Sequence, residues 1–424
     1  MPQAQENTRF SPPLPLDVVP AIATLRDPLA AQSTPRTAVR RIGRAPRVLH
    51  VISPSRMAGA ETFLARLLRR SSPDQFVNHC VSSRSNANFE MLAANMAFDR
   101  LAIGGKANLL APHRLRGAAH RFTADVLHSH LSTASWWCGW LEQMGGPPSI
   151  GHVHGFTSAI WHRRQRHLIA CSAAVKKDLM AKGIAGERIS VMHYPVDPAD
   201  MRASRSSAAI RAEFGASAET PVVGTFAHLS VKKGYRELVQ AAKFVLQCLP
   251  AAQFWCFGEG PLRGELEQTA RELGIADRFK LLGFRRDVPD LMQAIDVMCL
   301  PSHREPFGLV YVEATLAEKP VIACDAGGAA EIIIQGETGL LVPPPHAGFQ
   351  NRKIAANEQP ASNVAPLADA LFTLLDNPTQ AAAMGRTARQ AALDRFGWPG
   401  YLTRLREVYD RVLAPGTNCA FPGF

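Results

Sequence analysis

Two glutamates, Glu305 and Glu313, stand eight positions apart across a Pro306-Phe307-Gly308 turn. Pro306 disfavours helix at the residue before it, while Gly308 to Glu318 carries apolar residues at helical spacing. Glu305 is therefore expected in a loop ahead of a helix, and Glu313 inside that helix. The helix N-terminus then turns its free N–H groups, and the positive end of its dipole, toward whatever lies beside Glu305. Such a site suits a phosphate with a hydroxyl-bearing group at each carboxylate. A sugar nucleotide has those parts in that order: sugar, diphosphate, ribose. A lone pair of acids more often caps helices or faces water. The Phe-Gly turn between them, and Gly327-Gly328-Ala329-Ala330-Glu331 downstream, favour the ligand reading.

Other residues suit the same chemistry. Gly59 and Glu61 follow an apolar strand and open a helix, where a glycine lets backbone approach a bulky ligand. His154, in His-Val-His-Gly-Phe, sits at a strand end, where a parallel sheet presents ligand groups. Lys233 closes a Lys-Lys-Gly turn and supplies a cation. Phe257-Gly258-Glu259-Gly260-Pro261 reads as a tight turn; as a dinucleotide fingerprint it fails, because the third glycine falls at 264 rather than 263. The chain has no Asp-x-Asp, no His-x-x-x-His and no cysteine pair at ligand spacing. Neither a cofactor nor a dedicated metal is expected, which leaves a diphosphate to helix dipoles, Lys233 and backbone amides.

These residues resemble the E-x7-E signature of the retaining, GT-B-type glycosyltransferases of family 4. The resemblance runs from about Arg47 to Leu413 and is densest from Val222 to Pro343. It implies that Glu305 contacts the transferred sugar and that Glu313 binds the nucleotide ribose. The amides of Phe307, Gly308 and Leu309 would hold the donor phosphates. Met-Ala-Gly-Ala-Glu is similar to the family's Gly-Gly-Ala-Glu loop, with Ala58 in place of the first glycine, so Gly59 would face the diphosphate. By the same resemblance His154 lies against the sugar, Phe284 near the nucleobase, and Lys233 at the leaving phosphate. His228 stands where relatives carry arginine, a departure that weakens the diphosphate clamp unless a neighbour such as Lys232 compensates.

The elements needed to hold these groups are visible as alternating apolar strands and amphipathic helices, the pattern of a parallel sheet covered on both faces. The pattern runs from Arg47, pauses between Tyr194 and Thr220, and restarts at Pro221. The expected fold is α/β: two Rossmann-like doubly wound domains facing across a cleft, as in GT-B enzymes. Residues 1–46 read as a disordered basic leader and 47–197 as an acceptor-binding domain. A linker at 198–220 leads to a nucleotide-sugar domain at 221–397, with a long loop at 343–366. A helix at 398–414 crosses back to the first domain, and 415–424 form a tail.

Charge divides unevenly between the halves. Residues 1–210 hold 26 Lys and Arg against 13 Asp and Glu, a net of +13; residues 211–424 hold 21 against 23, a net of −2. The basic half should meet something anionic: a bilayer surface, a lipid-diphosphate acceptor or nucleic acid. Trp136, Trp137, Trp140 and Trp161, near Arg163, Arg164 and Arg166, read as core tryptophans beside a solvated basic helix, with a membrane face as the other reading. The eight cysteines, the lack of a secretory signal and the lack of a long apolar run fit a reduced, cytosolic protein, peripheral to the inner face of the plasma membrane. The expected activity is transfer of a sugar from a nucleotide-diphosphate donor to a glycan or lipid-linked saccharide of the cell envelope. A GT-B-fold sugar-nucleotide epimerase and a non-catalytic binding protein are the alternatives, and no nucleic-acid-binding motif is present.

Overall fold

The structure is a computed structural model that describes residues 43–53, 59–82, 98–345 and 363–414. The leader up to residue 42, positions 54–58 of the first glycine loop, the loop at 346–362 and the tail from 415 lie outside the described residues.

The N-terminal domain is a parallel sheet of seven strands in the order β3-β2-β1-β4-β5-β6-β7. The strands are β1 (Arg47–Ile52), β2 (Val77–Ser82), β3 (Phe98–Arg100), β4 (Val126–His130), β5 (Ser149–Val153), β6 (His167–Ala170) and β7 (Ile189–Val191). Helices α1 (Gly59–Arg70), α2 (Ala111–Phe122), α3 (Ser132–Gln143) and α4 (Ala173–Ala181) cover it. The apolar strand residues are buried on both faces, as a sheet sandwiched between helices requires. Residues ahead of Arg47 join this domain: Arg44 grips Asp125 with two bonds of 2.7 and 2.8 Å, and Pro46 accepts the Val77 N–H.

The stretch expected to be a linker carries α5 (Ser207–Glu213), a correction to that reading. Ser206 caps it by accepting from Ala209 N–H, and alanine is the best helix former. Arg211 then ties α5 to the second domain through Asp296 at 2.7 Å and the Thr220 carbonyl at 2.8 Å. Composition alone made this segment look like a connector.

The second sheet has six parallel strands in the order β10-β9-β8-β11-β12-β13. These are β8 (Val222–Phe226), β9 (Gln253–Phe257), β10 (Phe279–Gly283), β11 (Val297–Leu300), β12 (Val321–Cys324) and β13 (Gly339–Val342). Its helices are α6 (Tyr235–Cys248), α7 (Arg263–Glu272), α8 (Val288–Ala294), α9 (Leu309–Leu316), α10 (Val364–Asp376) and α11 (Pro378–Arg395). Because α10 begins at Val364, the last residues of the expected 343–366 loop belong to a helix. Asn377 caps α11 by accepting from Gln380 N–H at 3.1 Å, with Pro378 at the first position.

Helix α12 (Trp398–Leu413) packs on the first domain. Trp398 and Tyr401 lie against Phe63 of α1, and the Tyr409 hydroxyl bonds His128 of β4 at 2.7 Å. The chain therefore passes between the domains twice, before α5 and again at α12. The seven cysteines among the described residues are free, and no helix among them is long and apolar enough to cross a membrane.

Candidate active site

The loop Ser302–Gly308 leaves β11 and enters α9, and its shape is set by contacts on either side. Gly308 caps α9 with φ 98°, a left-handed backbone that a side chain would strain. Below it, the Glu305 carbonyl accepts from Gly328 N–H at 2.7 Å, and a side chain on Gly327 would lie 2.0 Å from that oxygen. The Gly-Gly pair is therefore explained by close backbone approach beneath the acid loop. Phe307 is buried between His193, Tyr194 and Phe396. Among the described residues no acceptor faces the N–H groups of Phe307, Gly308 or Leu309, which open a helix toward the cleft.

Glu305 and Lys233 form an ion pair of 2.6 Å, with 12% and 18% of their side chains accessible. Lys233 ends the turn after β8, and that turn is tied to the acid loop because His303 N–H donates to the Lys232 carbonyl at 2.9 Å. Behind them His303 and Glu237 form a fully buried pair at 2.8 Å. The pair at the surface is available to exchange partners; the pair behind it is not.

Glu313 lies one helical turn into α9 and faces the other domain. Its carboxylate is 4.0 Å from Arg66 of α1, and Arg66 also reaches Asp200 at 3.3 Å. Burial pushes the Glu313 carboxyl up to about 7, against the pull of Arg66. Near neutral pH this group thus exists in both forms, one able to donate a hydrogen bond and one only to accept.

His154 is held differently from the contact role expected of it. Its Nδ1 meets the Tyr194 hydroxyl at 2.7 Å and its Nε2 meets His130 Nδ1 at 3.1 Å, so both ring nitrogens are engaged. The chain continues from His130 Nε2 to His50 Nδ1 at 3.2 Å and from His50 Nε2 to Asn78 Oδ1 at 3.2 Å. Asn78 then donates to Ser71 Oγ at 2.6 Å, and Ser71 donates to the Leu67 carbonyl. One set of tautomers satisfies every link: Tyr194 donates to His154, and each imidazole carries its proton on Nε2 and passes it inward. The residues lie on one face because His50, His128, His130, His152 and His154 alternate along β1, β4 and β5.

A ring nitrogen from each of His50, His128 and His130 lies within 4.8 Å of the others, and His130, His152 and His154 form a second such group. Proximity of this kind can hold a metal, but the ring geometry here makes hydrogen bonds. The His50–His130 and His130–His154 centroids are 5.5 and 5.4 Å apart, the separation of rings whose facing nitrogens lie on the line of centres. A metal needs both lone pairs to converge on a point off that line. Burial, reinforced by neighbouring imidazoles, holds His128, His130 and His152 well below the usual histidine range. Burial likewise takes His50 to about 4 and His154 to about 3. The cluster is neutral.

Glu331, read in the sequence only as the end of a motif, bridges the domains. Its carboxylate accepts from Ala173 and Ala174 N–H, at 2.7 and 2.9 Å, and lies 2.8 Å from His193 Nε2. It thus occupies the N-terminus of α4, where the dipole favours an anion. Ser172, the α4 cap, donates across the gap to the Pro306 carbonyl.

The remaining expected residues are dispersed. Gly59 starts α1 with open space around its Cα. His228 is exposed on the turn before Lys233, and Phe284 is 69% exposed after β10. Gly258 and Gly260 pack on the backbone of Ala227 and Leu229, the tight turn anticipated for them. Tyr194, Asn78, Arg66 and Glu331 were missed. The alternating histidines of β4 and β5 were the one sequence signal for the cluster.

Residues 206–359 match the profile of glycosyl transferases group 1, and residues 58–200 that of glycosyltransferase family 4. A 2-deoxystreptamine glucosyltransferase of Streptomyces kanamyceticus is 31% identical over 54% of this chain and 56% of its own length, so the match spans about half of that relative. A glycogen synthase of Mycobacterium tuberculosis is 28% identical over 72% of this chain and 73% of its own. Among solved structures, Anabaena HepE in complex with UDP and glucose superposes with a TM-score of 0.72 at 23% identity, over 86% of this chain and all of HepE. Sucrose-phosphate synthase of Thermosynechococcus elongatus gives a TM-score of 0.66 at 18% identity over 87% of this chain and 99% of its own. At these identities the superpositions speak to the fold, which is GT-B.

Proposed function

Because the chain belongs to the group 1 glycosyltransferases of the GT-B fold, we propose that its cleft transfers a sugar, with retention, from a nucleoside-diphosphate donor to an acceptor held by the N-terminal domain. The observation that carries this is the Lys233–Glu305 pair beside the open amides of Gly308 and Leu309. Donor phosphates take those amides and Lys233, which leaves Glu305 free for sugar hydroxyls and for the positive charge that develops at the anomeric carbon. Glu313 takes the ribose, with Arg66 and Asp200 giving way. His154 offers the sugar a neutral ring face and edge rather than a nitrogen. With no Asp-x-Asp motif, the reaction is expected to tolerate chelators. Anabaena HepE was crystallised with UDP and glucose, which supports a nucleotide donor for this chain as well.

The acceptor we propose is a glycan or lipid-linked saccharide of the cell envelope, met at the inner face of the membrane. A thermal-shift screen against UDP-, GDP- and ADP-sugars should give one clear stabiliser, and that labelled donor should pass its sugar to an acceptor. Appearance of an epimer without acceptor would replace transfer with epimerisation. Stabilisation by none of the three would count against a nucleotide-sugar site.

A further inference from the structure

Seven large apolar side chains are exposed among the described residues, and three of them, Leu109, Leu110 and Ile160, lie at the carboxyl end of the first sheet. Leu109 and Leu110, 85% and 59% exposed, lead into α2; Ile160, 46% exposed, follows β5. Between them lie half-buried Trp136, Trp140 and Trp161, while Trp137 alone is core. The loop bearing the leucines is fixed to this group: Gly105 accepts the Trp137 indole N–H at 2.8 Å, and Lys106 Nζ sits 3.1 Å from the Trp161 ring centre. Arg164 lies 4.1 Å from the centre of the Trp140 ring, so cations and indoles share one level.

The charge around this rim is mostly basic. From Leu101 to Lys182 the sequence holds ten Lys and Arg and three acids, Asp125, Glu142 and Asp178, the last held by Lys182 and Arg304 at 2.6 Å each. Arg44 holds Asp125, and Arg166 holds Glu142 at 2.9 Å. Indoles at the level of basic groups, with aliphatic side chains projecting past them, are what a headgroup layer over hydrocarbon accommodates. A basic face built for nucleic acid or a soluble polyanion would have no use for exposed leucines.

The rim also adjoins the cleft. The chain leaves β5 at His154, passes Phe156 with Arg304 of the facing domain 3.7 Å from its ring centre, and reaches Ile160. We propose that Leu109, Leu110, Ile160 and Trp161, with Lys106 and Arg164, dock the N-terminal domain on an anionic lipid bilayer and hold the cleft mouth at its surface. This deepens the proposal of a membrane-borne acceptor and rests on it for its purpose, not for its physical basis.

The test is flotation of the full chain with vesicles of phosphatidylcholine, with and without phosphatidylglycerol, some carrying brominated acyl chains. The protein should float with the anionic vesicles only, and bromine should quench its tryptophan emission. Leu109→Ser with Leu110→Ser should cut the bound fraction about tenfold. Both leucines are exposed, so the melting temperature should stay. Lys106→Gln should weaken binding less, and added salt should weaken it further. No flotation, no quenching, or a serine variant that binds like the wild type would overturn the docking face. The last result, with displacement by a soluble polyanion, would assign the rim to an electrostatic partner instead. Donor turnover in solution is scored apart: its absence would sink the transferase reading while flotation still decides the face.

Discussion

At the carboxyl end of the first sheet, five imidazoles pack ring to ring beneath α1 and α12. At the same end of the second sheet, Lys233, Glu305 and Glu313 stand partly open to the cleft. Both edges crowd polar groups at the place where doubly wound sheets offer ligand sites. In the first, His50, His130 and His154 are ordered by the direction of their hydrogen bonds, with both ring nitrogens of each engaged. The second balances charges that a substrate can take over. Under the proposed function, the hydrogen-bonded wall would position the substrate and the wall of exchangeable charge would carry the reaction.

The largest effect should come from breaking the charged wall. Glu305→Gln should lower kcat by about 10²–10³ with an unchanged melting curve. Turnover left within a few-fold of wild type would remove Glu305 from the reaction.

Protons should break the neutral wall next. A histidine whose folded value lies below its unfolded value of 6.5 stabilises the fold above 6.5 and loses that contribution as pH falls toward the folded value. For His50, at about 4, the loss by pH 5 is roughly 2 kcal/mol, and His154, at about 3, loses as much. Glu313 runs the other way: its carboxyl at about 7 lies above the unfolded 4.5, so its contribution is lost as pH rises through 7. Urea melts between pH 7 and 5 should show a steep net loss, and a flat profile would mean the cluster is hydrated.

The wire can be told from mere packing by two substitutions. His130→Phe strands His154 N–H and His50 Nδ1 and should cost about 1–3 kcal/mol in urea melts. His152, whose two nitrogens have no partner among the described residues, should accept phenylalanine with little loss. Equal costs would deny the wire any special standing. The smallest effect is expected at exposed His228, where His228→Arg should raise donor affinity or leave it unchanged by thermal shift. Lost activity in a folded protein would give His228 a role of its own.

What the sequence revealed was local. Glu305, Gly308 and Glu313 share one loop and helix, so proline, glycine and apolar spacing placed them correctly. Helix α12, expected over 398–414, spans Trp398–Leu413. Glu331 was not legible, since its partners Ala173, Ala174 and His193 lie far away along the chain and offer backbone amides or a common side chain. Tyr194 and Asn78 were hidden for the same reason: Asn78 on β2 and Tyr194 after β7 meet the histidines of β1, β4 and β5 only in the folded sheet. The α5 segment was lost because its alanine and serine content suits a connector as well as a short capped helix.

The Glu331 bridge bears on how the two walls part. Separation leaves one carboxylate without three proton donors and uncovers a helix end, all within a single small displacement. The bonds of Glu331 and the Ser172–Pro306 bond therefore close the same gap, and the two walls are expected to part by losing them together rather than one at a time.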